Sequence, residues 1–500
     1  MRKLLNTFCL AILLQWPVHG ALAVEASSPF AEIEEVMDSL MENHINKPTE
    51  SQLVQGALKR VSEQIGKRAK ATVTPSAEDD TRSEMEYRLR EWQTRYGLDA
   101  AGLNRTAIEG MLATLDDPHT MLFTKEELRR FQSSVDNEYV GFGFRLRMQE
   151  NRLMIRDIIP NSPAAAADLR PGDHLLDVDG ISLTNKSFEE AFALLKGEEG
   201  SEAVLTIYRP SENRTKHLKL RRATLAIPEV SGMPFDGNIG YIRLDTFGSD
   251  SAVQFRNQLL SFMQKGQTQH GLILDLRDNG GGYLSAARDI ASLFMEEGLL
   301  MYMVDRNGVE IETWVHNGQD VGFPVRILVN QGTASASELL SGALRDHGIA
   351  KLVGTVTYGK GSAQQVIPLE NGDALKITLH EYFTPRHTVV NHVGLAPDIA
   401  VKHEIAQVLE ALRSLGVTRF ELRESGDEVT VNGVDFPVAE PIFHNDAHGI
   451  QVHRAVLASL LQDSAIGDTG YASLSSIGKP VKNLAVRKQG PETILTYTLQ

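Results

Sequence analysis

Ser335, in the run Thr333-Ala334-Ser335-Ala336-Ser337-Glu338, is followed 25 positions later by Lys360 in Tyr358-Gly359-Lys360-Gly361. A hydroxyl attacks a carbonyl well only when a neighbouring base takes its proton, and a lysine is such a base only as the neutral amine. Burial among apolar groups pulls a lysine toward that form at neutral pH. The surroundings of Lys360 suit burial: Leu352 and Val353 lie upstream, Val366 and Ile367 downstream, and no other charge falls between positions 354 and 369. The pair points to hydrolysis by a serine whose base is a lysine.

Two elements would position the serine. Residues 325–330 read as a short buried strand, and residues 338–347 as a helix with Leu339, Leu340, Ala343 and Leu344 on its apolar side and Gly348 as its stop. A strand, a small-residue turn and a helix put the hydroxyl at a helix N-terminus, where backbone N–H groups stabilise developing negative charge. A plainer reading stands beside this one: Ser335 to Glu338 also spells the capping box Ser-x-x-Glu.

Three further features bear on the choice. The apolar run Leu272-Ile273-Leu274 feeds Asp275-Leu276-Arg277-Asp278-Asn279-Gly280-Gly281-Gly282, a glycine turn whose amides can approach a substrate carbonyl closely. Gln364, four residues after Lys360, could hold the amine by a hydrogen bond. Between about 137 and 222 lies a PDZ-like segment, in which Tyr139-Val140-Gly141-Phe142-Gly143-Phe144 combines an apolar strand with two glycines. The backbone of Gly141, Phe142, Gly143 and Phe144 suits a terminal carboxylate, and the adjoining strand edge can pair with a peptide. Residues 162–169 read as a short helix, 174–179 as a strand turning at Gly180, and 188–195 as the groove helix, with Phe188, Ala191, Phe192 and Leu195 apolar.

With these residues in place, the chain resembles the carboxy-terminal processing peptidases, or tail-specific proteases, over about 30–401. The matching pieces are Ser335-Ala336-Ser337-Glu338, Gly359-Lys360-Gly361 with Gln364, the Leu276-Arg277-Asp278-Asn279 turn, and Gly394-Leu395-Ala396-Pro397-Asp398. The resemblance implies an α/β multidomain fold: a helical N-terminal region, a PDZ-like domain, a protease core of the ClpP/crotonase-like kind and a small α/β C-terminal appendage. It implies Ser335 as nucleophile, Lys360 as general base, Gln364 as the residue orienting the lysine, and an oxyanion hole from the N–H groups of Ala336 and Gly281. It implies no metal and no organic cofactor. The chain departs from the pattern at Gly280, where the family usually has proline, which loosens the turn that carries Gly281.

Rival chemistries fit less well. The stretch from Gly354 to Gly361 nearly spells a phosphate-binding P-loop, but Gly361 replaces the Ser/Thr that would bind Mg²⁺, and strand-like sequence ending in Pro368 follows. No Gly-x-Ser-x-Gly elbow occurs, and His380-Glu381-Tyr382-Phe383-Thr384 lacks the second histidine of a zinc protease motif. A silent PDZ scaffold that kept the protease fold is the alternative from another class.

Five hundred residues suffice for three or four domains. Arg2 and Lys3 precede an apolar stretch over 4–16, and Ala21-Leu22-Ala23 supplies a small-x-small cleavage pattern, so 1–23 reads as a secretory signal peptide. The stretch is too short to span a bilayer, so no stable membrane anchor is expected. The only cysteine, Cys9, lies within it, leaving a mature chain without disulfides. These features predict export, to the periplasm first and the cell exterior second. The formal charge of −15, or −17 after cleavage, argues against nucleic acid as a partner. Expected partners are proteins or peptides with free C-termini, and a homo-oligomer or an adaptor protein stays open.

Changes of pattern divide the chain into a helical region (24–136), the PDZ-like domain (137–225), the protease core (226–402) and the appendage (403–500). In the core, strands over 239–244, 271–276 and 326–330 alternate with helices over 252–265 and 284–296, and 374–383 adds a strand, which argues α/β layering. The appendage reads as a helix over 405–415, a hairpin turning at Asn432-Gly433, a helix over 452–461 and a last strand over 494–499. Gly56-Ala57-Leu58 and Gly110-Met111-Leu112 occupy similar settings without amounting to a repeat.

Overall fold

A computed structural model describes residues 29–70, 73–75, 80–149, 152–236, 238–268, 270–426, 428–438, 440–446, 449–477 and 483–499. The expected signal peptide, 1–23, lies outside the described residues. The fold is mixed α/β, and its described part falls into two compact units.

The first unit takes in 29–42, 47–122 and 368–371 and is helical. Its helices Glu50–Ala69 and Ala100–Leu112 cross at two glycines: a Cβ on Gly56 or on Gly110 would run into the other's carbonyl oxygen. The similar settings of the two glycine triplets are thus the two sides of one helix crossing.

The second unit holds the other described residues. Within it the PDZ-like segment folds as a sheet ordered Phe144–Gln149, Arg152–Ile158, His174–Val178, Glu202–Arg209, Arg214–Arg221, with Ile181–Ser182 paired to the third strand. The helix Phe188–Leu195 lies where the sequence places it, and Phe142, Leu153, Ile155, Ala191, Leu205 and Ile207 share one small core. The strands Glu138–Gly141 and Ala223–Ala226 pair antiparallel, so the chain enters and leaves this domain side by side.

The stretch expected to be the protease core is built on a six-stranded sheet in the order Val230–Phe235, Ile239–Leu244, Gly271–Asp275, Val325–Val329, Ala350–Gly354, Ile399–Ala400. Its first pair is antiparallel and the rest are parallel. Parallel strands are buried on both faces, which explains their near-continuous aliphatic runs. Leu272, Leu274, Ile327 and Leu352 face a core shared with the helices Ser251–Gln264, Leu284–Ala291 and Ala336–Asp346. Their neighbours Ile273, Leu328 and Val353 point the other way, into a core shared with the helix Glu404–Ser414, Phe420, Leu422, Val456 and Leu457. That second core runs straight across position 403.

Three elements end earlier or start later than expected, the first being the short helix expected over 162–169, which spans only Pro163–Ala166. The helix expected over 284–296 stops at Ala291, where Leu293 and Phe294 N–H groups turn to the carbonyls three residues back and seat both side chains in the core. The helix expected over 452–461 begins at Arg454, because Ile450 and Val452 pair as strand Gly449–His453 with Phe443–Asp446.

Candidate active site

Three neighbouring parallel strands deliver the predicted residues to one place. Gly271–Asp275 leads into the turn with Gly281, Val325–Val329 into Ser335, and Ala350–Gly354 into Lys360. All three leave their strands at the C-terminal edge, where open α/β sheets form ligand crevices.

Ser335 is nearly buried and sits immediately before the helix Ala336–Asp346 with φ 56° and ψ −118°. A non-glycine residue there carries strain of about 1–3 kcal/mol, so the surrounding contacts must hold it. The capping box that the sequence spells is present, with Glu338 accepting the Ser335 N–H at 2.9 Å.

Glu338 does far more than cap. Fully buried, its carboxylate also accepts the N–H of Gly359 (2.8 Å), the N–H of Lys360 (2.9 Å) and the Thr357 hydroxyl (2.5 Å). From the other side, the Tyr382 hydroxyl lies 3.0 Å from the Ser335 carbonyl and 2.8 Å from the Lys360 carbonyl, one proton facing two acceptors. Burial, and then the Glu338 charge, hold the Tyr382 phenol far above its ordinary pKa, so it stays a donor. Two buried side chains therefore grip the main chain of Ser335 and of Lys360 together. The sequence showed Glu338 only as a helix cap, and nothing local marked Tyr382.

Ser335, Lys360 and Gln364 line one cavity of about 470 Å³, with Phe131, Tyr283 and the glycine turn among its other walls. Lys360 is half-buried, not enclosed as its apolar neighbours suggest, and the cavity it lines has polar walls such as Ser362 and a second lysine, Lys376. Lys376 lies over the Phe131 ring at 4.8 Å. The Gln364 amide donates to the hydroxyls of Ser362 (2.9 Å) and Thr378 (3.2 Å), which turns its carbonyl oxygen over to other partners.

The glycine turn is stapled to the serine segment: Asn279 O accepts the Ala334 N–H (3.0 Å) and the Ser337 hydroxyl (2.9 Å), and Leu276 O accepts the Thr333 hydroxyl (2.8 Å). Beneath it, burial alone would raise the Asp275 pKa, but the Arg277 guanidinium at 2.6 Å keeps it below the usual carboxylate range. Gly281, at φ +101°, stands against Ser335, since a Cβ there would be 2.8 Å from Ser335 Cβ. Its N–H is donated to Asn279 Oδ1 at 2.9 Å. A Cβ on Gly280 would meet open space, so the missing proline leaves no steric trace. Ala336 opens its helix, where N–H groups lack intrahelical acceptors.

In the PDZ domain, Gly141, Phe142, Gly143, Phe144 and Phe192 line a second cavity of about 460 Å³. Phe188 opens the groove helix, and its side chain lies outside the described residues. Tyr139 was not singled out. Its ring covers Gly141, where a Cβ would lie 2.5 Å from Tyr139 Cε2, and burial raises its phenol pKa.

The family model described as peptidase family S41 matches residues 238–401, and that described as PDZ domain matches 154–209. The chain is 36% identical over 304 residues to the carboxyl-terminal-processing protease of Picosynechococcus sp. (60% of this chain, 73% of that protein). It is 35% identical over 329 residues to that of Synechocystis sp. (64% and 76%). A photosystem II D1 C-terminal processing protease of known structure aligns with a TM-score of 0.46 at 26% identity, covering 78% of this chain and 98% of that one. No helix among the described residues is long and apolar enough to cross a membrane. The identity and coverage shared with both cyanobacterial enzymes, together with the two family matches, make the chain a member of peptidase family S41, a carboxyl-terminal-processing serine protease with a PDZ domain.

Proposed function

We propose that Ser335 attacks a peptide carbonyl near the C-terminus of a polypeptide that the PDZ groove has captured by its free carboxylate. Neutral Lys360 takes the serine proton and returns it to the leaving amine, with the Gln364 carbonyl oxygen as the acceptor that aims the amine. The Ala336 and Gly281 N–H groups receive the oxyanion, Gly281 by exchanging its bond to Asn279. One such donor typically supplies about 2.7–4 kcal/mol of transition-state stabilisation. Water then hydrolyses the acyl-enzyme. A bound substrate would displace water from the half-open cavity and strengthen these interactions.

The observation that carries this reading is the joint grip of Glu338 and Tyr382 on Ser335 and Lys360, at the ends of adjacent strands and on one cavity wall. We assign 137–225 to peptide capture and 226–402 to cleavage, and the charged, apolar and small-residue order of 1–23 to export, first to the periplasm. Ser335→Ala should abolish cleavage of a peptide with a free C-terminus while retaining its binding. Lys360→Arg should be equally inactive, because guanidinium stays charged. Turnover by purified Ser335→Ala, followed by mass spectrometry, would remove the serine from this role; near-normal turnover by Lys360→Arg would make the lysine structural.

A further inference from the structure

The PDZ groove carries a charge pattern that binding a carboxylate does not by itself require. Its walls are apolar, yet Arg145, Arg156 and Lys196 also line it, and no carboxylate does among the described residues. The whole chain, by contrast, has a net charge of −15. Three cations gathered on one apolar groove of an acidic chain are a local reversal of sign.

Their positions fit a peptide laid in the groove. Phe144–Gln149 is an edge strand, so a ligand can pair with it as an added strand, its side chains pointing alternately to either side. Arg145 is the second residue of that edge. Arg156 stands on the next strand as the extra residue of a bulge, since Arg145 pairs with Asp157 and Leu146 with Ile155. Lys196 follows the groove helix and lies over the Phe192 ring at 4.9 Å. Arg156 reaches Asp157 at 3.3 Å and Glu428 at 3.5 Å. Both pairs are about half exposed, and exposed pairs of this kind contribute little and exchange readily for a ligand's charge.

We infer that the groove selects polypeptide C-termini whose last residue is apolar and whose immediately preceding residues include Asp or Glu. This rests on the groove's being the site of carboxylate capture. The apolar walls take one set of alternate side chains, and Arg145 and Arg156 face the other.

The test uses the full chain carrying Ser335→Ala and three fluorescent peptides read by anisotropy. Two end in the same apolar residue and differ only in having Glu or Lys upstream; the third is the Glu peptide as its C-terminal amide. The Glu peptide should bind about tenfold or more tighter than the Lys peptide at low salt. The gap should shrink at high salt, where the screening length falls from about 10 Å at 0.1 M to about 3 Å at 1 M. Adding Arg145→Glu and Arg156→Glu, both at exposed positions, should reverse the order while keeping the preference for free acid over amide. Equal binding of Glu and Lys peptides, or a gap that survives the double substitution, overturns the charge selectivity alone. Equal binding of acid and amide overturns carboxylate capture and the selectivity with it.

Discussion

At the scale of single residues, the chemistry depends on side chains that stand behind the cavity wall. Glu338 and Tyr382 hold the main chain on both sides of the proposed nucleophile and base, so the separation of those two groups is set by buried hydrogen bonds and not by their own rotamers. Tyr382→Phe keeps the ring and removes the hydroxyl shared by the Ser335 and Lys360 carbonyls. Stability should fall by about 1–2 kcal/mol in thermal denaturation. In steady-state kinetics kcat should fall about tenfold or more with KM nearly unchanged, because small misplacements of reacting groups are costly. A variant that lost stability but kept kcat would make Tyr382 a packing residue only. Ser335 and Lys360 stood out as candidates through the Ser-Ala-Ser-Glu and Gly-Lys-Gly runs taken together, and the fold brings both to one cavity. Tyr382 was not: it sits in the alternating strand Ala374–Phe383, where an aromatic residue reads as core, and its acceptors are brought to it only by folding.

At the scale of elements, the strand Glu138–Gly141 carries Tyr139 into the loop proposed to receive the substrate carboxylate. Burial raises its phenol above the ordinary pKa, so in the groove wall it is a neutral O–H donor for an arriving carboxylate. Tyr139→Phe keeps the ring over Gly141 and removes the donor. A free-acid peptide should bind the Ser335→Ala chain about three- to tenfold more weakly with this added change, the equivalent of about one hydrogen bond. Unchanged binding by anisotropy would make Tyr139 a packing residue of the loop. The elements themselves followed their periodicity wherever one pattern ran unbroken, as for the groove helix Phe188–Leu195. The hairpin at Asn432-Gly433 was marked by its dipeptide, whose φ values of 44° and 84° suit a tight two-residue turn. Boundaries slipped where a helical pattern ran on into residues that fold otherwise, at 167–169, 292–296 and 452–453.

At the scale of the whole molecule, a buried carboxyl and a half-buried imidazole set opposing demands on pH. Burial, and then the charges of Asp250 and Asp136, push the Glu229 carboxyl up to about 7. The unfolded carboxyl releases its proton near 4.5 while the folded one keeps it, so stability falls as pH rises from about 4.5 to 7. His403 does the reverse: burial and His453 lower it to about 4, so stability falls as pH drops from about 6.5 to 4. Glu229→Gln should remove the first loss, with a melting temperature above the parent's at pH 8 and close to it at pH 5. Melting curves that stay parallel across that range would take Glu229 out of the account. The appendage shows the limit of what a sequence discloses at this scale. Its helix and hairpin were readable as elements, since an apolar face announces burial, but nothing in the pattern says which surface will cover it.

That surface is the underside of the catalytic sheet. Ile273, Leu328 and Val353 are the lower side chains of the strands that lead to the glycine turn, the serine and the lysine, and they pack against side chains from beyond position 403. The sheet that carries the proposed site is therefore kept dry on its far side by a segment that contributes none of the site's residues.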